Sequence, residues 1–189
     1  MKFKTILISA SIFIFRVLDL YTTQLGIKNF QKEEQNLIVK ITRMDMKTFF
    51  IIEVILAVLA VGCYLFYLKN RNLFVIKAIS LKQYINLYLF NKTTSKIKDW
   101  LTYFNFKKIL VLLGSCIPVY VITTSILFSL NNYWVYLYNE NNKAAVKYYL
   151  LFNDYHFFYF IIFVFPVILL FFLLIQKFIK ELERNKIQI

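Results

Sequence analysis

The sequence predicts an all-α integral membrane protein, one domain of residues 1–189 with four transmembrane helices and an interfacial amphipathic helix between the second and third. Three observations support this fold class. The chain is 60% hydrophobic, with a mean hydropathy of +0.60, whereas soluble domains are about 45–50% apolar. Four apolar stretches reach the roughly 20 residues that a helix needs to cross a bilayer. Nine of the 23 basic residues lie in one segment, 69–108.

The four predicted spans cover about residues 5–27, 48–68, 109–130 and 157–175. The second contains one charged residue, Glu53, and the third contains none. The first span is interrupted by Arg16 and Asp19, and it also resembles a secretory signal because Lys2 and Lys4 precede its apolar part. No small-residue cleavage site follows that apolar part, so we expect the first helix to stay uncleaved and to span the membrane.

The distribution of basic residues predicts the orientation. Segment 69–108 carries nine basic residues and one acidic residue, whereas segment 131–156 carries two of each. The positive-inside rule therefore places 69–108 on the cytoplasmic or matrix side. Four spans place both termini on that same side. Abundant Phe, Tyr, Asn, Lys and Ile are typical of an AT-rich genome, so we expect a bacterial inner membrane, with the mitochondrial inner membrane as the alternative.

Residues Leu73–Phe90 are too charged to span a membrane and too apolar for a solvated loop. This composition predicts an interfacial helix on the inner leaflet. The basic segment 69–108 around it predicts contact with anionic lipid. In the alternative interpretation the helix only covers the cytoplasmic end of the helix bundle. No nucleic-acid-binding module is recognisable, so nucleic acid is not an expected partner.

Polar residues recur at helical spacing inside the first span. Arg16, Asp19, Thr23 and Gly26 stand at positions i, i+3, i+7 and i+10. An ionised side chain at the bilayer centre costs about 2.5–3.5 kcal/mol, so it requires a partner or a function. A rise of about 1.5 Å per residue brings Asp19 and Glu53 to a similar depth. The sequence therefore predicts a polar intramembrane layer, which consists of Arg16, Asp19, Thr22, Thr23 and Glu53.

Two interpretations of this layer stay open. In the structural one, Arg16 pairs with Asp19 or Glu53, and Thr22 or Thr23 bonds to a neighbouring helix. In the functional one, the layer binds a cation, a lipid headgroup or a proton. An arginine between two carboxylates favours the ionised form of all three groups, which supports the structural interpretation. Further polar candidates are expected at the outer membrane surface: Glu34, Asn36, Asp154 and His156.

No catalytic residue, metal site or cofactor is predicted, because the chain has no HExxH, GxSxG, Walker A or CxxC motif. The single histidine cannot supply two axial ligands to a haem. Cys63 and Cys116 lie in apolar runs and are expected to act as small hydrophobic residues. Gly62 and Gly114, with their small neighbours, predict faces where helices approach closely.

The string Asp19-Leu20-Tyr21-Thr22-Thr23, followed by Gly26 and by Glu34-x-Asn36, resembles an uncharacterised family of small prokaryotic membrane proteins. That family has an Asp-x-x-Thr/Ser-Thr helix followed by a Glu-x-Asn-Pro turn. The similarity covers about 50 residues, from Arg16 to the second span, and Leu37 stands where the family has proline. The resemblance implies that Asp19, Thr23, Glu34 and Asn36 form a unit at the outer membrane surface.

These features support three functional hypotheses. The first is a non-catalytic subunit or scaffold that binds other membrane subunits, or a respiratory-complex subunit if the gene lies in an organelle. The second is a small transporter or an ion- or lipid-binding protein that uses Arg16, Asp19 and Glu53. The third is an intramembrane enzyme acting on lipid, with Asp154 and His156 at its mouth.

Overall fold

The computed structural model describes residues 2–26, 45–93, 105–140, 142–143 and 164–187. These residues form five α-helices and one 3-10 helix and contain no strand, which confirms the all-α prediction. In chain order the elements are α1 (Lys2–Gly26), α2 (Met46–Asn70), the 3-10 helix (Arg71–Phe74), α3 (Leu81–Phe90), α4 (Phe106–Asn139) and α5 (Phe165–Ile187).

Two of the described helical segments are long and apolar enough to cross a membrane, Met46–Phe74 and Phe106–Tyr138. They contain the predicted second and third spans, so the structure supports a membrane protein. Helix α1 covers most of the predicted first span and α5 covers part of the predicted fourth span. Neither helix is among the two described segments that are long and apolar enough to cross a membrane. Residues 157–163 of the fourth span lie outside the described residues. Four spans therefore stay a prediction.

The helix predicted over Leu73–Phe90 is only partly correct. The 3-10 helix follows α2 directly, residues 75–80 are not helical, and α3 begins at Leu81. Ser80 has extended backbone angles and its hydroxyl accepts a hydrogen bond from the Gln83 amide at 3.3 Å, so it acts as the N-cap. Asn91, with φ of 55°, ends α3 in the left-handed conformation.

Helix α5 extends beyond residue 175, the predicted end of the fourth span. It continues to Ile187 through a segment that carries four basic and two acidic residues. Phe178, Glu181, Leu182 and Asn185 are all buried, at positions i, i+3, i+4 and i+7. That period places them on one face of a helix, so the segment is an amphipathic packing element.

The chain forms two compact units. Among the described residues, the first unit contains α1, α2 as far as Val61, α4 from Val119 onward, and the chain from 164 to Val167. The second unit contains the rest of α2 from Gly62, the 3-10 helix, α3, α4 as far as Pro118, and α5 from Ile168.

The core of the second unit is aromatic. Phe74 stacks on Tyr88 with ring centroids 4.9 Å apart, and Phe178 meets the Tyr84 and Tyr88 rings edge-on at 6.0 and 5.6 Å. The Tyr84 hydroxyl donates to the Phe74 carbonyl at 2.7 Å, and the Tyr88 hydroxyl donates to the Lys108 carbonyl at 2.6 Å. Helix α3 thus buries its aromatic face in protein, as expected of a helix that packs over its neighbours.

Burial raises the pKa of both Tyr84 and Tyr88 well above that of a free tyrosine. Their hydroxyls are therefore kept protonated as hydrogen-bond donors. Lys108 supports the same arrangement, because its Nζ donates to the Leu87 carbonyl at 3.2 Å and to Asn91 Oδ1 at 2.6 Å. A cation at this position complements the negative end of the α3 dipole.

Gly114 allows α2 and α4 to approach closely inside the second unit, as predicted. A Cβ atom at Gly114 would overlap the Cys63 carbonyl oxygen and lie 3.1 Å from Tyr67 Cβ. The corresponding prediction for Gly62 is wrong, because a Cβ atom there would meet nothing within 4 Å.

Replacing Gly114 by alanine is expected to lower the free energy of unfolding by about 1–3 kcal/mol. The added methyl group would overlap the Cys63 backbone carbonyl, which, unlike a side chain, cannot rotate out of the way. Reversible unfolding in mixed detergent and SDS micelles would measure this loss. Gly62→Ala is the matched control and should leave stability equal or slightly higher. Equal stability of the two variants would contradict the close approach at Gly114.

Candidate functional site

The predicted polar layer lies in the first unit, where α1 and α2 run in opposite directions. Arg16 contacts Glu53, and one turn further along α1 Leu20 packs with Phe49. A step of four residues forward on α1 therefore matches four residues backward on α2. The same register places the buried Ile12 level with the buried Ala57. The apolar pairs on either side enclose the charged pair between the two helices.

Arg16 joins two carboxylates. Its Nη1 lies 3.4 Å from Asp19 Oδ2 on the same helix and 3.2 Å from Glu53 Oε2 on α2. All three side chains are largely buried. The sequence left open which carboxylate Arg16 contacts, and in the structure it contacts both.

A third helix reaches the layer through Asn132 of α4. Asn132 Nδ2 donates to Thr23 Oγ1 at 2.8 Å and to Asp19 Oδ1 at 3.2 Å. The Thr23 hydroxyl in turn donates to the Asp19 carbonyl at 2.9 Å. The Thr22 hydroxyl donates to the Leu18 and Asp19 carbonyls of its own helix. Thr23, in contrast, also accepts the hydrogen bond from Asn132 and so joins two helices.

Asn132 was missed by the sequence analysis. The third span was expected to end at residue 130, since Asn131 and Asn132 are polar and aromatic residues typical of a membrane interface follow them. Helix α4 instead continues to Asn139. One feature of the sequence pointed to such a residue. The predicted depth of Asp19 and Glu53 implies that a polar side chain on a neighbouring helix lies at the same level and forms hydrogen bonds with them.

In the described part of this unit, four buried side-chain atoms have no hydrogen-bond partner: Arg16 Nε, Glu53 Oε2, Ser125 Oγ and Ser129 Oγ. Of these, Glu53 Oε2 is held by its ion pair with Arg16. Ser125 and Ser129 are 0% and 5% exposed. Together with Asn132 they stand at i, i+4 and i+7, so they share the face of α4 that presents Asn132 to α1. Other hydroxyls on these helices, such as those of Thr22 and Thr124, are satisfied by carbonyls of their own helix.

As far as the structure describes it, the layer contains one positive and two negative side chains, a formal net charge of −1. Three of the four buried atoms without a hydrogen bond are oxygens, and carboxylate and hydroxyl oxygens bind hard cations or water. Among the described residues no group of three or more His, Cys, Asp or Glu side chains is placed to hold a metal ion. The layer can therefore hold three helices in register and present oxygen atoms inward.

The outer-surface candidates Glu34, Asn36, Asp154 and His156 lie outside the described residues. Gly26 ends α1.

A second buried ion pair, not predicted from the sequence, lies in the second unit. Lys177 Nζ contacts Glu181 Oε1 at 2.6 Å and the Tyr67 hydroxyl at 3.2 Å. It also lies 4.7 Å from the centre of the Phe74 ring, a cation–π geometry.

In the part of the chain that the structure describes, the fold and the site together define a helical protein with two helices long and apolar enough to cross a membrane and a buried layer of paired charges. No family model, curated protein or solved structure matches the chain. The resemblance drawn from the residues between Asp19 and Asn36 therefore depends on those residues alone.

Replacing Arg16 by methionine is expected to lower the free energy of unfolding by about 3–5 kcal/mol, because two buried carboxylates lose their cation. Combining Arg16→Met with Asp19→Asn and Glu53→Gln should recover part of that loss, since no unpaired charge is left. The same unfolding titration in mixed micelles measures both variants.

Arg184→Met is the control for this prediction. The Arg184 side chain is 63% exposed and lies 3.9 Å from Glu181, so its loss should change stability by no more than about 0.5 kcal/mol. An Arg16→Met protein as stable as the Arg184→Met protein would show that the three charges do not hold the helices together.

Proposed function

We propose that the protein is an integral membrane protein with four spanning helices, which acts as a non-catalytic subunit or scaffold of a larger membrane assembly. The observation that carries this proposal is the distribution of polarity in the described helices. Charged groups in the middle of α1 and α2 point inward and are paired, whereas large apolar side chains point outward.

The outward apolar side chains follow helical periodicity. On α2 exposed residues repeat every three to four positions, and comparable stripes run along α1 and α5. Representative exposed members are Ile6, Ile14 and Val17 on α1, Ile51, Ile55 and Leu59 on α2, and Ile168, Phe171 and Ile175 on α5. Apolar stripes of this extent exceed the patches that water-soluble monomers expose. Lipid tails accept such surfaces at no cost, which supports four spans rather than two.

The proposed orientation places both termini and segment 69–108 on the cytoplasmic side of a bacterial inner membrane, or on the matrix side of a mitochondrial one. Basic residues support it, since they concentrate in 69–108 and are balanced by acids in 131–156. A non-catalytic role is supported by the pairing within the layer, because Arg16 contacts both carboxylates and leaves neither of them buried without a cation. The apolar stripes then offer contact surfaces to lipid and to other membrane subunits.

The protein is expected to resist extraction from native membranes by alkaline carbonate and to co-purify with other membrane chains in a gentle detergent. Topology reporters fused to the two termini and inserted after Lys82 should report the cytoplasmic side, and a reporter after Asn142 the opposite side. Native mass spectrometry identifies the co-purifying chains. A monodisperse monomer without partners would refute the assembly role, and reporters on the same side at Lys82 and Asn142 would refute four spans.

A second candidate function, a small transporter or cation-binding protein, is favoured by one observation. Among the described residues the layer has two carboxylates to one arginine, and the hydroxyls of Ser125 and Ser129 are buried without hydrogen-bond partners. A small monovalent cation supplies the missing charge and takes oxygen ligands. The ligand would enter between α1, α2 and α4, within the first unit.

If this second candidate is correct, one alkali chloride should raise the melting temperature of the detergent-solubilised protein more than choline chloride at equal ionic strength. At a cation concentration of about 100 times the dissociation constant, binding should raise the free energy of unfolding by about 2.7 kcal/mol. Asp19→Asn combined with Glu53→Gln should abolish this shift. Glu183→Gln, which changes an exposed carboxylate, is the control. An undiminished shift in the double variant would exclude the layer as the binding site.

A further inference from the structure

We propose that residues 75–82, the membrane-contact segment, insert Val75 and Ile79 into an anionic leaflet while Lys77 and Lys82 contact lipid phosphates. The inference depends on the proposed function, because a membrane-spanning protein holds its second unit beside that leaflet. It replaces the sequence-based expectation that an apolar helix face would lie on the lipid. The contact is made by the non-helical residues before α3 and the first turn of that helix.

The side chains of this segment alternate between the protein interior and its surface. Phe74 and Ala78 are buried in the core of the second unit. Val75 and Ile79, by contrast, are 67% and 85% exposed, and Lys77 between them is exposed as well. Two aliphatic side chains and a lysine are therefore exposed at alternate positions of the segment, 75, 77 and 79.

Hydrogen bonds fix both ends of the segment. At its start, the Phe74 carbonyl accepts from the Tyr84 hydroxyl at 2.7 Å and from Asn185 Nδ2 at 2.8 Å. At its end, the Ile79 amide donates to Gln83 Oε1 at 2.9 Å. The exposed side chains are thus presented from a backbone that three hydrogen bonds position, so their outward direction belongs to the fold.

The position of Ile79 is unusual for an apolar residue. It directly precedes Ser80, the N-cap of α3, where a hydrophobic residue commonly packs against the fourth residue of the helix. That fourth residue is Tyr84, whose ring faces Tyr88 and Phe178 in the core. Ile79 is left outside, and its aliphatic side chain is available to an apolar environment beyond the protein.

The charge around the segment selects an anionic surface. Lys69, Arg71, Lys77 and Lys82 are all exposed, and the sequence has no acidic residue from 54 to 98. Aliphatic side chains flanked by cations match the layered chemistry of a leaflet, with acyl chains below phosphates. A second copy of the chain fits less well, since a symmetric contact would oppose the same cations.

The inference is tested with the full chain in vesicles of phosphatidylcholine alone or of an equal mixture with phosphatidylglycerol. In a Cys63→Ala/Cys116→Ala background, Ile79→Cys and, as control, Asn72→Cys carry an environment-sensitive fluorophore. Asn72 is exposed on the adjacent 3-10 helix and has a polar side chain. The label at position 79 should be quenched by doxyl-labelled lipids, more strongly in the anionic mixture, and should resist aqueous iodide, whereas the label at 72 should not.

The charges are tested separately by the association of spin-labelled phosphatidylglycerol with the protein. Lys77→Gln/Lys82→Gln should weaken that association by about fivefold for each lysine removed. Lys47→Gln/Lys143→Gln removes the same charge from exposed positions in the first unit and should leave it unchanged.

Iodide quenching of the label at 79 equal to that at 72, without doxyl quenching in either vesicle, would overturn the inference. If the fluorescence of the label at 79 changes with the protein-to-lipid ratio but not with the lipid composition, the inference would be overturned, and the segment would instead contact a second copy of the chain. If carbonate extraction and the topology reporters still show four spans, only the membrane-contact segment fails. Loss of insertion would instead refute the proposed function.

Discussion

The pairing of Arg16 with Asp19 and Glu53 constrains the rest of the first unit, because charges buried in an apolar bundle persist only when they are neutralised. The pairing fixes the register of α1 and α2, since a shift by one residue would turn a carboxylate toward the apolar surroundings. Apolar contacts such as Leu20 with Phe49 are compatible with that register but do not select it alone. Asn132 extends the same constraint to α4.

The second unit is organised by a related constraint, the need to satisfy polar groups beside an aromatic core. The Phe74 carbonyl ends the 3-10 helix and would be unpaired without Tyr84 and Asn185. These two donors come from α3 and α5, so a single carbonyl links three elements. Lys177 shows the same principle, because its charge is met by Glu181 and by the aromatic rings of Tyr67 and Phe74.

Apolar length predicted the positions of α1 and α2 within a few residues and the start of α4, but not its end at Asn139. Depth along the helices placed Glu53 near the turn that carries Arg16 and Asp19, without deciding which carboxylate Arg16 contacts. These features depend on local periodicity, which the sequence shows directly. The start of α3 could not be predicted, because apolar residues stand on both sides of Ser80. The apolar pattern predicts one continuous helix across Ser80, whereas the N-cap preference of serine predicts a helix that begins there. The second half of α5 was missed since hydropathy cannot distinguish a charged tail from an amphipathic helix whose charges pair inward. Asn132 and Ser129 depend on a contact between distant parts of the chain, and nothing local marks that contact.

The charge of the polar layer separates its two possible roles. Holding helices in register requires only that charges be paired, and one arginine with one carboxylate would be sufficient. The chain instead places two carboxylates around Arg16, and it adds Ser125 and Ser129 on the face of α4 that carries Asn132. Neither serine stabilises its own helix, because neither hydroxyl donates to a carbonyl. Among the described residues, the arrangement therefore contains more carboxylates and hydroxyls than the pairing of Arg16 requires, and this difference is what supports the proposal of a cation at the polar layer.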